Sequence, residues 1–304
     1  MTLIYNGTDI TDAVEITEAV SRDVSGGRCD CLELTFNNPT NWYAWGPKAD
    51  DSIRFVHNGY DTGDMYVSAF FPEDGMFKIT ALSMPQKARV KRWQTFRNMK
   101  LRDVVYACAT ECGMGFGIYG LDENIRYPFL LRRNEGAAAF LNRICTYEGA
   151  VLKCVGGKLA VIGIAYAQSR DPIRTWSFDA NTKSATYQKR SDAYVQQMIV
   201  RSPAGDARIT DGSVNNGIVV VSDAPAACAG DAGRWARGLL LGANRKAESI
   251  IVDRMQFDPN VSAMQRVDIE SNTDMNGEWI IDEATHDFVN ATTTVALYRS
   301  IAEP

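Results

Sequence analysis

The sequence is poor in the residues that most catalytic and metal sites use. Its 304 residues include two histidines, His57 and His286, which leaves little material for acid–base chemistry or metal binding. No stretch approaches ~18 consecutive apolar residues, so no transmembrane helix is expected. The N-terminus, MTLIYNGTDITD, lacks the basic and apolar regions of a secretory signal. We therefore expect a chain that is made in a cytoplasm, does not insert into membranes and needs no metal or cofactor.

The common nucleotide-binding and hydrolase motifs are also missing. The sequence contains no G-x-x-x-x-G-K-[ST], no H-E-x-x-H and no G-x-S-x-G. The glycine-rich GMGFG at 113–117 follows a predicted helix, whereas a dinucleotide fingerprint follows a strand and opens a helix. We interpret GMGFG as a helix stop.

The charge balance argues against general binding to nucleic acid. Asp and Glu number 37 against 32 Lys and Arg, which gives a net charge of −5, while binding to a phosphate backbone needs a basic face. One local run mixes cations with aromatics and could contact phosphates: Lys87, Arg89, Lys91, Arg92, Trp93, Phe96 and Arg97. The favoured interpretation is a solvated linker whose two aromatics pack against a neighbouring domain.

The seven cysteines predict no disulfide framework and no metal site, because they are odd in number and scattered. Cys108 and Cys112 lie one helical turn apart on an apolar stripe, where free cysteine behaves as a small hydrophobe. Cys29 and Cys31 are expected on the same side of a strand, as structural residues. A cysteine nucleophile, Cys145 or Cys154 with His286, is a less favoured alternative, because a thiol on the buried face of a helix has a raised pKa.

The order of patterns along the chain is β, helical, β. Residues 1 to about 84 contain short alternating strands between turns, such as Leu32, Leu34 and Phe36 on one face. The middle predicts a helix from the Asn98 N-cap to Gly113, a second from Asn134 to Gly149, and a hairpin that turns at Gly156-Gly157. Beyond about 165 the chain is again mostly strands, including 195–201, 218–221 and the last four, with one helix around Trp235.

Four segments in order resemble the phage late-control D protein family, the baseplate hub proteins to which the N-terminal half of VgrG spikes is related. They are TFRNMKLRDVVYACATECGM, RRNEGAAAFLNRICTYEGAVLKCVGGKLAV, RWARGLLLGANRKAESIIVD and GEWIIDEATHDFVNATTTVALYR. The second holds the family pattern at Asn134-Glu135, Phe140-Leu141, Arg143 and Gly149. The last holds it at Gly277, Trp279, Ile281 and His286. One departure is MQRVDIE, where the family tends to have a glycine before the strand.

The resemblance implies a mainly β fold with an α+β middle. Two small β-barrel tube domains, at 1–85 and 166–304, would be joined by a helix-containing α/β connecting domain at 86–165, and the second would carry one inserted helix. It implies a homotrimeric, non-enzymatic ring that adapts the sixfold tail tube to the threefold spike. The segment from Asn134 to Gly163 is then scaffold.

The same resemblance implies the partners and the place of assembly. The partners would be the spike, tail tube or tube-initiator proteins, other baseplate proteins and the tape measure protein, with DNA only in transit through the lumen. An acidic lumen would suit that passage, because like charges repel. The protein would lie in the virion tail or baseplate, after assembly in the host bacterial cytoplasm. A hub of a non-contractile tail, which anchors a cell-wall hydrolase or a receptor-binding protein, stays open as the alternative.

Overall fold

A computed structural model describes residues 1–178, 184–203, 205–215 and 217–301 and shows a chain dominated by β-strands. One sheet of 14 strands contains strands from both ends of the chain, and three smaller sheets lie in the middle and in an insertion. The prediction of a mainly β fold with a helix-containing middle is confirmed. Across the described ranges, no helix is both long enough and apolar enough to cross a membrane.

The first β region forms because apolar residues alternate along short strands between turns. Leu32, Leu34 and Phe36 face inward and are almost completely buried, as the alternation predicts. The elements are β1 (Thr2–Tyr5), β2 (Thr8–Asp9), β3 (Glu15–Val24), β4 (Cys31–Asn37), α1 (Thr40–Trp45), β5 (Ser52–His57), β6 (Tyr60–Asp61), β7 (Met65–Glu73) and β8 (Met76–Leu82).

The middle region, which we call the connector, combines helices with short sheets. Its elements are β9 (Arg92–Lys100), α2 (Leu101–Cys112), β10 (Gly115–Tyr119), β11 (Arg126–Glu135), α3 (Ala137–Tyr147), β12 (Ala150–Val155), β13 (Lys158–Gly163) and α4 (Ile164–Gln168). The predicted hairpin is confirmed: β12 and β13 pair antiparallel. Gly156 and Gly157 turn it with φ of 55° and 71°, a backbone region that glycine reaches without steric cost.

The second β region carries an insertion with a long helix. Its elements are β14 (Thr175–Ser177), β15 (Ala185–Lys189), β16 (Val195–Val200), β17 (Ala207–Thr210), β18 (Ile218–Ser222), α5 (Ala229–Asn244), β19 (Glu248–Gln256), β20 (Arg266–Glu270), β21 (Gly277–Asp287) and β22 (Thr292–Arg299). Short 3-10 helices occur at Thr11–Ala13, Gln86–Arg89 and Ser191–Ala193.

The two β regions repeat one six-strand unit. The first unit is β1, β3, β4, β5, β7 and β8, and the second is β14, β15, β19, β20, β21 and β22. The four long strands take the same order in both, β3-β4-β8-β7 and β15-β19-β22-β21. In both, the fifth strand, β5 or β20, pairs with the start of β7 or β21, and β1 or β14 pairs with that fifth strand. The units differ in that β1 lies antiparallel to β5, whereas β14 lies parallel to β20.

Three of the four hydrophobic clusters formed by the described residues support this arrangement. The first unit packs around Trp42 and Phe55, and the second around Trp279. A third core joins the connector to the insertion, so that Phe140 of α3 and Trp235 of α5 belong to one cluster. The domain boundaries at 1–85, 86–165 and 166–304 stay a prediction.

The two predicted closed barrels are not confirmed. In the described part of the chain, strand pairing in the large sheet runs from β15 to β2 without closing on itself. The units are instead continuous with each other, because β21 of the second pairs with β3 of the first. A closed barrel would need the two edge strands of each unit to pair with each other. Here the edge strand β21 of the second unit pairs instead with the edge strand β3 of the first.

Several local predictions for the connector are wrong. Helix α2 begins at Leu101, with Lys100 as its N-cap, and α3 begins at Ala137, with Gly136 as its N-cap. Asn98 and Asn134 lie instead in β9 and β11, at positive φ, which asparagine tolerates better than most residues. The segment predicted as a linker forms a 3-10 helix followed by β9. The run has no clear period of its own, and it forms a strand because it pairs with β11. The helix stops at Gly113 and Gly149 are confirmed by left-handed φ values of 68° and 65°.

Candidate assembly site: the strand junction and its open counterpart

The two units meet at an antiparallel junction between β21 and β3. Glu283 to Asp287 pair with Val24 to Val20, so that His286 lies opposite Ser21. Ser25 extends the contact: its amide donates to the carbonyl of Asp282 at 2.8 Å, and its hydroxyl donates to the Asp282 carboxylate at 2.5 Å. The junction is therefore a regular sheet continuation that side chains reinforce.

A buried charge cluster lies beside the junction and ties the connector to both units. Lys153 of β12 is 5% exposed, contacts the Asp23 carboxylate, and lies 3.4 Å from Asp30. Asp23 also accepts hydrogen bonds from the Ser262 hydroxyl and, at 3.0 Å, from the Ala263 amide. One carboxylate of the first unit thus binds the connector and the second unit together.

Burial sets the pKa values in this cluster. It raises the pKa of Asp30 to about 7, since a carboxylate loses hydration there, and the Val24 amide opposes this by donating to the carboxylate at 3.0 Å. It lowers the pKa of Lys153 to about 7 for the same reason. Opposite charges in contact compensate part of this cost, so removal of one partner would leave an uncompensated buried charge.

A cleft of about 300 Å³ opens next to the cluster, between the first unit, the β12–β13 turn and Val261. Tyr60 lines it, donates to or accepts from the Ser21 hydroxyl at 3.0 Å, and has its pKa raised to about 12 by burial. Among the described residues, no group of three or more His, Cys, Asp or Glu side chains is arranged to hold a metal ion.

Strand β7 takes the same place in the first unit as β21 takes in the second. The edge by which β21 pairs with β3 is open in β7. β5 covers only the start of β7, at Met65 and Tyr66, and the stretch from Ala69 to Glu73 pairs with β8 alone within the described residues. Phe70 and Phe71 on this stretch are 43% and 44% exposed. An exposed strand edge with large apolar side chains is a site for pairing with another chain.

The second open edge belongs to β15, which pairs with β19 on one side and with no described strand on the other. Glu248 at the start of β19 accepts hydrogen bonds from the hydroxyls of Tyr194, at 2.6 Å, and Tyr187, at 3.1 Å, and pairs with Lys189 and Arg299. Burial acts to raise the pKa of Glu248, but the hydrogen bonds from Tyr194, Arg299 and Lys189 outweigh it and lower the pKa to about 2.

A second buried network fixes the insertion to the connector. Glu148, at the end of α3, accepts hydrogen bonds from Arg234 at 2.9 and 3.0 Å, from the Trp235 indole at 2.7 Å and from Tyr127 at 3.0 Å. Gly238 of α5 lies so close to this turn that a Cβ there would come within 2.3 Å of the Gly149 amide nitrogen. The contact between the helices therefore requires a glycine at 238.

The basic and aromatic run highlighted by the sequence lies on a two-stranded ribbon of β9 and β11. Phe96 faces the connector core, whereas Trp93 points outward and is 70% exposed. The ladder places Trp93 beside Arg133, and Arg97 beside Phe129, on the outer face. Neither aromatic follows the expectation of packing against a neighbouring domain, because Phe96 packs in the core of its own connector, on Phe140, and Trp93 is exposed.

The cysteines are where an apolar role would put them. Cys108, Cys112, Cys145 and Cys154 are buried, and burial raises the pKa of each thiol, to about 12 for Cys108 and Cys154 and about 11 for Cys112. Cys29 precedes β4, so the prediction that it shares a strand face with Cys31 is wrong. The bend around Gly26 and Gly27 covers residues 25–28, and Cys29 and Asp30 lie between it and β4.

The structure does not bring a cysteine to His286. The ring nitrogens of His286 lie 3.1 Å from the Thr293 hydroxyl and from the Val261 carbonyl oxygen. The histidine is completely buried, and burial lowers its pKa. The Cys154 thiol instead donates to the Ser83 carbonyl at 2.9 Å.

The charged residues at the junction and near the open edge of β15 were not predicted from the sequence. Asp23 and Lys153, beside the junction, and Glu248, at the start of β19, are single charges in strands, with no motif spacing around them. Only the run AVLKCV, with one lysine among apolar residues, carries a signal, since a charged residue is seldom fully buried unless it is paired.

Comparison with protein-family models and with curated protein sequences finds no match. Solved structures do match over nearly the whole chain. The 43 kDa tail protein of prophage MuSo2 from Shewanella oneidensis has a TM-score of 0.71 at 13% identity, over 98% of this chain and 95% of that one. The tail protein from Neisseria meningitidis MC58 has a TM-score of 0.76 at 10% identity, over 98% and 96%.

A third match extends the comparison to secretion systems. The E. coli c3393 protein, a type VI secretion component described as similar to the T4 tail proteins gp27 and gp5, has a TM-score of 0.60 at 9% identity, over 99% of this chain and 77% of that one. At such low identity these likenesses establish the fold. The chain therefore has the fold of phage tail proteins, and the resemblance of its sequence to the baseplate hub family is confirmed at that level.

Proposed function

We propose that this protein is a non-enzymatic hub of a contractile phage tail or a phage-like injection particle. It forms a homotrimeric ring that adapts the sixfold tail tube to the threefold spike. Its partners are the spike protein, tail tube or tube-initiator proteins and other baseplate proteins. It is assembled in the host cytoplasm and lies in the tail or baseplate. The tube domains at 1–85 and 166–304, and the connecting domain at 86–165, belong to the same proposal.

The observation that carries the proposal is the repeated unit. Each chain contains two units with the same strand order, joined in one sheet by β3 and β21. Three chains in a ring would therefore present six nearly equivalent units around a threefold axis. A ring of this kind needs a heterologous, head-to-tail contact that closes after a fixed rotation, and two unlike strand edges of the sheet are open, β15 and the second half of β7.

The side chains on the face of the sheet away from the cores suit a lumen through which DNA passes. In the ladders that join β21, β3, β4, β8 and β7, the outward positions carry more acids than bases. The acids are Glu15, Glu18, Glu33, Glu73, Glu283 and Asp287, and the bases are Arg22 and Lys78. Like charges would keep the DNA backbone from adhering. A trimer structure with a lumen lined mainly by Lys and Arg would contradict this part of the proposal.

A scaffold role also agrees with the state of the nucleophiles. The four buried cysteines have raised thiol pKa values, so little thiolate is present at neutral pH. The charges of the two buried networks are engaged with each other, and they join the connector to the units. A reaction centre would need such groups free to meet a substrate.

The mass of the protein in solution tests the proposal. The monomer is 33.6 kDa. Light scattering on the purified chain, alone and with the neighbouring spike protein, should give a mass of three chains in at least one of the two samples. A monomeric mass in both samples, at tens of micromolar protein, would contradict the hub ring.

A further inference from the structure

We infer that the ring closes through one defined strand pairing, in which β7 of each copy pairs antiparallel with β15 of the partner subunit, Pro72 lying opposite Tyr187 of the partner subunit. The inference rests on the proposed ring and adds to it the edges and their register. It is drawn from the internal repeat, because the junction that joins the two units within a chain can be repeated between chains.

The junction within the chain joins strands in a definite order. Reading across the large sheet, the order is β15-β19-β22-β21 and then β3-β4-β8-β7. The last strand of the second unit, β21, pairs with the first strand of the first unit, β3. The same rule applied once more pairs the last strand of the first unit, β7, with the first strand of the next second unit, β15. Every neighbouring pair in this series is antiparallel.

Strand β7 of the first unit corresponds to β21 of the second. Both strands carry a register shift against their hairpin partner at the same point, between Val67 and Ala69 in β7 and between Ile281 and Glu283 in β21. Beyond the shift each strand continues for five residues, to Glu73 and to Asp287. Ala69 to Glu73 therefore correspond to Glu283 to Asp287, the residues that pair with β3.

Strand β15 of the second unit corresponds to β3 of the first. Val67 pairs with Ala81 as Ile281 pairs with Leu297, which makes Ala81 and Leu297 equivalent. Ala81 pairs with Leu32, and Leu297 pairs with Ile250. Leu32 in turn pairs with Ser21, and Ile250 pairs with Tyr187. Ser21 therefore corresponds to Tyr187, and residues 20–24 of β3 correspond to residues 186–190.

The register of β21 with β3 within the chain therefore predicts the register of β7 with β15 between copies. His286 lies opposite Ser21 within the chain, so Pro72 lies opposite Tyr187 of the partner subunit. The full set is Ala69 with Arg190 of the partner subunit, Phe70 with Lys189 of the partner subunit, Phe71 with Gln188 of the partner subunit, Pro72 with Tyr187 of the partner subunit, and Glu73 with Thr186 of the partner subunit.

Burial at the two junctions supports the pairing. Ala284 of the closed junction is fully buried, whereas Phe70 at the equivalent place is 43% exposed. Its ring already packs on Phe77, with 6.3 Å between centroids, so one face is held and the other is uncovered. A strand laid along β7 would cover it. Pro72 has no N–H to donate, so the new ladder can contain one hydrogen bond fewer at this position.

Disulfide trapping at four positions tests the register. Directly opposed residues in an antiparallel pair have Cβ atoms about 4.5–5.5 Å apart and diagonal neighbours about 7–8 Å, while a disulfide needs about 3.5–4.5 Å. The in-register variants are Phe71→Cys with Gln188→Cys, and Glu73→Cys with Thr186→Cys. The off-register controls exchange the partners: Phe71→Cys with Thr186→Cys, and Glu73→Cys with Gln188→Cys. All four side chains are exposed in the single chain, so the substitutions should not disturb its folding.

The readout is covalent dimer and trimer on non-reducing gels after mild oxidation of the assembled protein. The four single-cysteine variants give the background from the native thiols. We expect both in-register variants to cross-link at least tenfold faster than the off-register controls. Faster cross-linking of a control, or no cross-linking in a sample whose mass is that of three chains, would overturn the inferred register and leave the ring standing. A mass of one chain under all conditions would instead refute the proposed function.

Discussion

The two units share a strand order but differ in the segment that joins their first two long strands. In the first unit, residues 25–30 join β3 directly to β4. In the second, residues 190–247 separate β15 from β19 and contain β16, β17, β18 and α5. This insertion packs into the core of the connector, not into the core of its own unit. One copy of the unit is therefore fastened to the connector by an added segment, while the other is fastened by a buried charge.

Charges at equivalent positions of the two units also show that the units are fastened to the connector in different ways. The alignment of the units matches Asp23 of β3 with Lys189 of β15, and it matches Asp30 with Glu248. In the first unit the neutralising cation, Lys153, comes from the connector. In the second, Lys189 and Arg299 of the unit itself surround the acid. The sign of the charge at the position shared by Asp23 and Lys189 therefore differs between the units. In the first the connector supplies the cation, and in the second the unit supplies its own.

The largest effect should come from the buried lysine of the first unit. Lys153→Met would leave Asp23 and Asp30 buried without their cation, and we expect unfolding in urea to show a loss of about 3–5 kcal/mol. Lys189→Met is the matched control in the second unit. Its side chain is 48% exposed, and an exposed ion pair contributes about 1 kcal/mol or less. Equal losses in the two variants would break the contrast between the clusters.

Crowding between the helices should give the next effect, because it loosens the insertion. Gly238→Ala would push a methyl group against the backbone of the turn at Gly149. We expect a loss of about 1–3 kcal/mol in the free energy of unfolding. Gly242→Ala, in the same helix, meets no atom within 4 Å and should gain up to about 1 kcal/mol from the better helix propensity of alanine. Two losses of similar size would mean that the close approach does not hold the insertion.

The acid cluster of the second unit should show itself in the pH dependence of stability. The pKa of Glu248 is about 2 in the folded protein and about 4.3 in an unfolded chain. Its stabilisation is therefore fully present above about pH 4.3 and is lost as the pH falls towards 2. Glu248→Gln should cost about 1–2 kcal/mol at neutral pH, and its unfolding free energy should fall less steeply between pH 4.5 and 2 than that of the wild type. Parallel curves for the two proteins would contradict this role.

The smallest effect on the stability of the single chain should come from the open edge. Phe71→Ser alters an exposed side chain and should change the free energy of unfolding by about 0.5 kcal/mol or less. It should nevertheless weaken the ring by up to about fivefold, because a cross-strand pair such as that of Phe71 with Gln188 of the partner subunit contributes about 0.2–1 kcal/mol. Trp93→Ser, at the exposed ribbon, is the matched control and should leave ring dissociation unchanged. Light scattering after dilution measures ring dissociation for the two variants, and urea unfolding measures the stability of the single chain.

The sequence predicts most strands of the two units, but it does not predict which strands pair to join the two units in one sheet. Alternating apolar residues locate β4 and β22, and glycines locate the ends of α2 and α3, because these signals are local. The pairing of β21 with β3 brings together residues more than 250 positions apart, and no local pattern carries that information. The same limit explains the wrong caps at Asn98 and Asn134, since both residues belong to the β9–β11 ladder. It also explains why Lys153, whose partner Asp23 lies 130 residues away, was not recognised.

Images of the assembled protein test the central claim, that each chain supplies two equivalent units to one ring. Averaged electron micrographs, viewed down the axis, should show an annulus with threefold symmetry and six evenly spaced lobes, two for each chain. An annulus with as many lobes as chains, or a twofold dimer joined through like edges, would contradict the equivalence of the units and the head-to-tail closure drawn from it.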